Sequence, residues 1–133
     1  MSSIILALDI GDKRIGMAVA DDEVKIPRLL PTIEVDDQVF DKITEIITYE
    51  GIETVVVGYP RNLSGEPTPQ TDKVIAFVNH FSHLVDVPFV YQDESLTSVR
   101  AEEMLRARGK AYTKPDIDAE AASIILRDYL ELL

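Results

Sequence analysis

Ile4-Ile5-Leu6-Ala7-Leu8-Asp9-Ile10-Gly11 opens the chain with five uninterrupted apolar side chains, then a carboxylate, then a glycine turn. A run this short and this apolar suits a central strand covered on both faces. Asp9 then stands at the carboxyl end of that strand, the edge at which open α/β sheets place ligands. A carboxylate there invites a cation, although an aspartate before a glycine is also ordinary turn chemistry.

Outward from this strand, Asp12-Lys13 turns the chain back. Arg14 to Ala20 alternates Ile15, Met17 and Val19 with Gly16, Ala18 and Ala20, the period of a strand with one small-residue face. So short a connection permits only an antiparallel hairpin. Arg28 to Val35 alternates again, and Pro31, with no backbone donor, assigns it to a sheet edge. Asp36-Asp37 opens a helix with Val39, Phe40, Ile43, Ile46 and Ile47 at helical spacing, ending near Gly51. Thr54 to Gly58 is a second apolar strand, followed by the loop Tyr59 to Pro67 and a helix marked by Val74, Phe77, Val78 and Phe81. A last strand, Pro88 to Tyr91, runs into Gln92-Asp93-Glu94. A helix begins around Ser95 to Ser98 and fades by Gly109, and Thr113, Pro115 and Asp116 start a terminal helix reaching about Leu132. Helices between apolar strands imply parallel crossovers. The expected fold is α/β: one domain over residues 1–133, a five-stranded mixed sheet (three antiparallel-type strands, then two parallel strands) flanked by helices, the element order of an RNase H-like fold.

Composition narrows the chemistry. With 133 residues, 46% of them hydrophobic, the chain can bury one core. No stretch approaches the ~20 apolar residues of a membrane span, and no basic-then-apolar leader opens the chain, so a cytoplasmic protein is expected. The absence of cysteine excludes disulfides, thiolate zinc sites and thiol nucleophiles. His80 and His83 read as surface residues, because no carboxylate accompanies them in that stretch. A net charge of −11 opposes nonspecific binding to phosphate backbones. Yet Arg100, Arg106, Arg108, Lys110 and Lys114 cluster in one stretch, and Lys13 and Arg14 follow the Asp9 turn, so a locally basic face is compatible with an acidic whole.

Three carboxylate positions meet at one end of such a sheet: Asp9, the pair Asp93-Glu94, and Asp118. Asp118 shares a helical stripe with Ala122, Ile125, Tyr129 and Leu132, which should face the sheet. Carboxylates brought together repel unless a proton or cation intervenes. Mg²⁺ or Mn²⁺ answers that need and favours phosphate as a further partner, so the implied chemistry is metal-assisted phosphodiester hydrolysis. Dipole and capping roles are the structural alternatives for Asp118 and Asp93. Lys13 and Arg14 stand near enough to meet a substrate phosphate or to balance Asp9 and Asp12. The Gly58 to Gly65 loop offers backbone amides and Asn62 to a nucleic-acid strand, or else is a plain surface turn.

Four motifs in order resemble the YqgF (RuvX) family: Leu8 to Asp21, Val57 to Gly65, Asp93-Glu94-Ser95-Leu96-Thr97-Ser98 with Ala101-Glu102, and Ile117 to Ala122. That family is associated with Holliday junction resolution and with maturation of pre-16S rRNA. The resemblance implies an RNase H-like nuclease in which Asp9, Glu94 and Asp118 bind the divalent metal, with Asp93 beside them in the catalytic set. The family usually carries arginine directly after the Asp-Glu pair, where this chain has Ser95, which leaves Arg61 or Arg100 to replace that guanidinium. The expected partner is nucleic acid, pre-rRNA or branched DNA, for a monomer or homodimer, and the resemblance adds the ribosome as a candidate associate. Two other classes compete: a noncatalytic nucleic-acid or ribosome-binding module, and an ATP-binding domain of the actin type, which a chain of this size supplies only in half.

Overall fold

The computed structural model describes residues 2–62, 64–94 and 97–133, the side chains of 97 and 98 excepted. These residues form β1 (Ile4–Ile10), β2 (Arg14–Asp21), β3 (Arg28–Glu34), α1 (Val39–Glu50), β4 (Thr54–Pro60), α2 (Pro69–Phe81), β5 (Phe89–Glu94), α3 (Thr97–Ala107) and α4 (Lys114–Glu131). The sheet runs β3-β2-β1-β4-β5, so the most apolar strand is central and the proline-bearing strand lies at an edge. β2 is antiparallel to β1 and β3, whereas β4 is parallel to β1 and β5. This is the expected α/β mixed sheet.

Each face of the sheet buries a different core. Leu6, Leu8, Ile15, Met17, Val55 and Val57 pack under α1 and α2 with Ile43, Val74 and Phe81. Ile5, Ala7, Ala18, Ala20 and Val56 pack under α4 with Ala122, Ile125 and Leu126. The second set is smaller because α4 sits close. A Cβ on Gly16 would lie 1.9 Å from the carbonyl oxygen of Asp118, so only glycine lets the start of α4 rest on β2. α3 covers the outer side of α4 through Ala101, Ala121 and Ile124, which is why α4 is buried without a break from Ala119 to Leu126.

Helix ends follow local chemistry. Thr68 and Thr113 each close a capping box three residues on, with Thr71 and Asp116, and each precedes a proline in the first turn. α1 begins later than Asp36-Asp37 suggested, at Val39. Asp36 instead accepts the amide of Gln38 at 2.9 Å, which forms a turn ahead of the helix.

Three expectations are corrected. β4 continues two residues past Gly58 and β5 continues through Glu94, because Tyr59 pairs with Asp93 and Pro60 with Glu94 in parallel register. Glycine, proline and polar residues there read as a loop, but parallel pairing overrides that local preference. Leu132 leaves the buried stripe of α4 and is 75% exposed, since the helix ends at Glu131.

Candidate active site

The pleat of the sheet decides which acids meet. Asp9 lies opposite Gly16 on β2 and one step beyond the Leu8–Val57 pair, so its other neighbour is Gly58 on β4. Alternation puts Asp9 on the α4 face with Ile5 and Ala7. On β5 the same alternation separates Asp93 from Glu94. Val90, Gln92 and Glu94 share the α4 side, while Phe89, Tyr91 and Asp93 share the α2 side.

Asp9 therefore lies between two glycines, each bearing another acid. A Cβ on Gly58 would come within 2.9 Å of the Glu94 carboxylate and 2.6 Å of Ile125 Cδ1, so the missing side chain is the space into which Glu94 folds. Gly16, on the other flank, carries the backbone of Asp118. Gln70 Nε2 donates to the Ile10 carbonyl at 2.8 Å, and the buried Thr71 hydroxyl donates to the Pro60 carbonyl, so the start of α2 ties the ends of β1 and β4 together. The Gly11 amide donates to the Arg14 carbonyl at 2.9 Å and closes the hairpin beside Asp9.

The resulting field acts on one group above all. The Asp9 carboxyl is held well above the usual carboxylate range, first by desolvation, then by the charges of Glu94 and Asp118. Among the described residues no side chain donates a hydrogen bond to Asp9, and no buried side-chain oxygen is left unsatisfied, so burial of this carboxylate stops short of sealing its oxygens from the sheet edge. Asp118 is held differently. Arg14 Nε donates to its Oδ2 at 2.7 Å, with the two side chains 31% and 22% exposed. No three acids among the described residues stand close enough to ligate one ion together. The oxygen-only donor set nevertheless fits a hard divalent cation: Asp9 and Glu94 converge, and Asp118 is one ion pair away.

The remaining candidates divide. Asp93 faces away from Asp9, is 69% exposed, and pairs with Arg61 at 3.2 Å. Arg61 also stacks 5.0 Å over the Tyr59 ring. The structure does not bring Arg100 to the edge. It pairs at 3.1 Å with Asp128, ten residues along α4 from Asp118, or about 15 Å at the helical rise. Asn62 builds its own loop, its Oδ1 accepting the amides of Ser64 and Glu66 at 2.9 Å, while its carbonyl takes the Gly65 amide. Those amides are engaged internally rather than offered to a ligand. Ser95 and Leu63 lie outside the described residues. His80 stacks on Phe40 and His83 contacts the Asn79 carbonyl.

Sequence reasoning missed Glu120. It is 2% exposed and meets Arg108 through two contacts of 2.9 and 3.2 Å, joining α4 to the end of α3. Its offset of two from Asp118 turns it off the sheet-facing stripe, and that is the only signal the sequence carries.

The family model described as RuvX, Holliday junction resolvase, matches residues 3–132. The chain belongs to the RuvX family. Curated relatives match nearly the whole length of this RuvX chain. A protein of Chloroflexus aurantiacus named "Putative pre-16S rRNA nuclease" is 42% identical over 132 residues, covering 96% of this chain and 86% of the relative. Proteins of the same name from Caldanaerobacter subterraneus and Streptococcus pyogenes are 40% and 36% identical, covering 95% or more of both chains in each comparison. Among solved structures, Thermus thermophilus RuvC in complex with a Holliday junction substrate matches with a TM-score of 0.62 at 18% identity, covering 97% of this chain and 94% of that one. The fowlpox virus Holliday junction resolvase matches with a TM-score of 0.58 at 19% identity, covering 98% and 99%. At such identities the likeness shows that this RuvX protein has the resolvase-type RNase H-like fold. No helix among the described residues is long and apolar enough to cross a membrane.

Proposed function

We propose that this RuvX protein is a divalent-metal-dependent nuclease of the cytoplasm that hydrolyses phosphodiester bonds in the precursor of 16S rRNA. One observation carries the reading: a carboxylate with a raised pKa and no side-chain donor among the described residues, flanked by two further acids at the carboxyl edge of the sheet. Asp9 and Glu94 would hold the metal, and Asp118 would join them on release from Arg14. The bound cation supplies charge for the developing oxyanion and a water of lowered pKa. Arg14 holds Asp118 at its post and lies within reach of a phosphate at that edge. Gly16 and Gly58 keep the cradle shallow enough for a phosphodiester to approach the acids. Arg61 keeps the Asp93 charge on the opposite face, outside the ligand set. The names of the full-length relatives support ribosomal precursor as substrate. The family description supports branched DNA as the second reading.

The test is a cleavage panel of ribosomal precursor ends, single-stranded RNA and four-way DNA junctions, with Mg²⁺ or Mn²⁺ present or chelated. Cleavage of the precursor that needs metal and drops at least ~100-fold in Asp9→Asn is the expected result, since the variant loses a metal ligand. Equal turnover by pure variant and parent discards the assignment, and preference for the junction moves the substrate to DNA.

A further inference from the structure

The pattern of ion pairing shows how a nucleic-acid strand would cross this edge, a step that rests on the nuclease reading. Eight of the 13 Lys and Arg side chains are held by a carboxylate: Arg14, Arg28, Lys42, Arg61, Lys73, Arg100, Arg106 and Arg108. Among the described residues Lys13, Lys25, Lys110, Lys114 and Arg127 have no such partner. Three of those five lie on one side of the acidic edge.

Lys13 sits in the β1–β2 turn, where its carbonyl accepts the Val35 amide at 2.9 Å and fastens it to the end of β3. Two residues back from the end of β3, the Thr32 hydroxyl donates to the Pro115 carbonyl at 2.8 Å, which sets neighbouring Lys114 beside the same strand. Lys114 is also one helical turn before Asp118, the spacing that places two side chains on one helix face. Lys110, in the α3–α4 connection, lines a cavity of about 310 Å³ with Leu29, near the start of β3, and with Asp116, Ala119 and Glu120 of α4. The three lysines thus run from the acidic edge back along β3 in the order Lys13, Lys114, Lys110. Four acids line the same two clefts, and two of them, Asp12 and Glu120, are paired with Lys73 and Arg108. Asp116 is bonded into the Thr113 capping box, and Glu34 opens onto the same cleft as Lys13. The opposite side has its cations neutralised, Arg61 by Asp93 and Lys73 by Asp12.

We infer that Lys13, Lys114 and Lys110 form the phosphate track of this protein, seating the sugar-phosphate backbone of a single nucleic-acid strand on the β3 side of the acidic edge. On a chain of net charge −11 the rest of the surface repels a polyanion. A track of unpaired lysines therefore fixes the direction of approach, and because ammonium groups are point charges, it reads backbone rather than sequence.

The experiment measures salt dependence of binding in the Asp9→Asn background with Mg²⁺, using a labelled single-stranded RNA and, separately, a labelled four-way DNA junction. Each phosphate neutralised contributes a slope of about 0.7 for a single strand and about 0.9 for duplex DNA in log K against log salt. Replacing all three lysines by glutamine should lower the slope on RNA by about 2. A Lys25→Gln/Arg127→Gln control should leave it unchanged, because Lys25 lies at the other end of the hairpin and Arg127 is nine residues along α4 from Asp118. A slope that the triple variant alters on neither substrate, or that the control lowers equally, overturns the track. Because the same three contacts would change the slope by about 2.7 on duplex arms against about 2 on RNA, only a full change on the junction with none on RNA keeps the track and identifies the strand as DNA. Cleavage assays on the otherwise native chain separate the two claims. Loss of turnover in Asp9→Asn with an unchanged triple-lysine slope removes the track and keeps the nuclease. Turnover retained in Asp9→Asn with a lowered slope does the reverse.

Discussion

Asp9 is the residue on which the site turns, and its environment has a consequence for stability as well as for chemistry. Its folded-state pKa is raised by burial and by Glu94 and Asp118. A raised carboxyl pKa means that the folded state holds the proton more tightly than the unfolded state. The stabilisation is complete below the unfolded pKa, about 3.9, and is lost as pH rises through the folded value. At pH 8 and without divalent metal, the raised pKa of Asp9 works against folding, so Asp9→Asn should melt at a higher temperature than the parent. The gap should close towards pH 4. Thermal unfolding in chelator at both pH values checks this, and a gap independent of pH contradicts it. The residue was legible in the sequence because a carboxylate ending an apolar run is conspicuous. The family resemblance already favoured Glu94 over Asp93 as the ligand, but the physical reason was not legible, since only the extension of β5 through both residues turns them to opposite faces.

Among the elements, α4 does most to assemble the site. Its apolar spacing and its Thr113 cap were readable from local pattern, and the small residues of β2 were readable as one face of a strand. Their meeting was not readable, because Gly16 and Asp118 are joined only by the packing of a helix on a sheet. Gly16→Ala tests that contact. Its Cβ would fall 1.9 Å from the Asp118 carbonyl oxygen and 2.3 Å from the carbonyl carbon, and neither backbone atom can rotate away. The first turn of α4 must lift, at a cost of about 3 kcal/mol in overpacking. Chemical denaturation should show that loss, together with weaker metal binding through displacement of Asp118. A variant as stable as the parent would mean that α4 docks more loosely than described.

At the scale of the molecule, the sheet has helices on both faces, and α3 forms a further layer outside α4. Glu120, nearly inaccessible on α4, and Arg108, at the end of α3, link those two helices by a forked ion pair. Arg108→Met strands the buried carboxylate, so we expect a loss of about 2 kcal/mol, less than for a wholly buried pair because Arg108 is half exposed. Adding Glu120→Leu should recover most of that loss, as apolar replacements of buried pairs commonly do. Denaturant midpoints of the two variants decide it, and equal losses in single and double variants refute the linkage. The same scale explains how a protein of charge −11 can face nucleic acid. Most cations are matched to acids within the fold, and the unmatched lysines gather mainly where the acids of the site lie.

Local pattern was enough for the strand and helix order, the central place of β1, the edge place of β3 and the acids that could serve a metal, because each is written in periodicity, turn chemistry or an incongruous charge. Only the tertiary structure decided which acids converge, that Arg14 occupies Asp118, that Arg100 is turned towards Asp128 and that the Asn62 loop satisfies its own amides. Those outcomes depend on pleat phase, on parallel register and on how closely α4 can approach two glycines. All three are set by contacts between segments far apart in the chain, which no window of sequence contains.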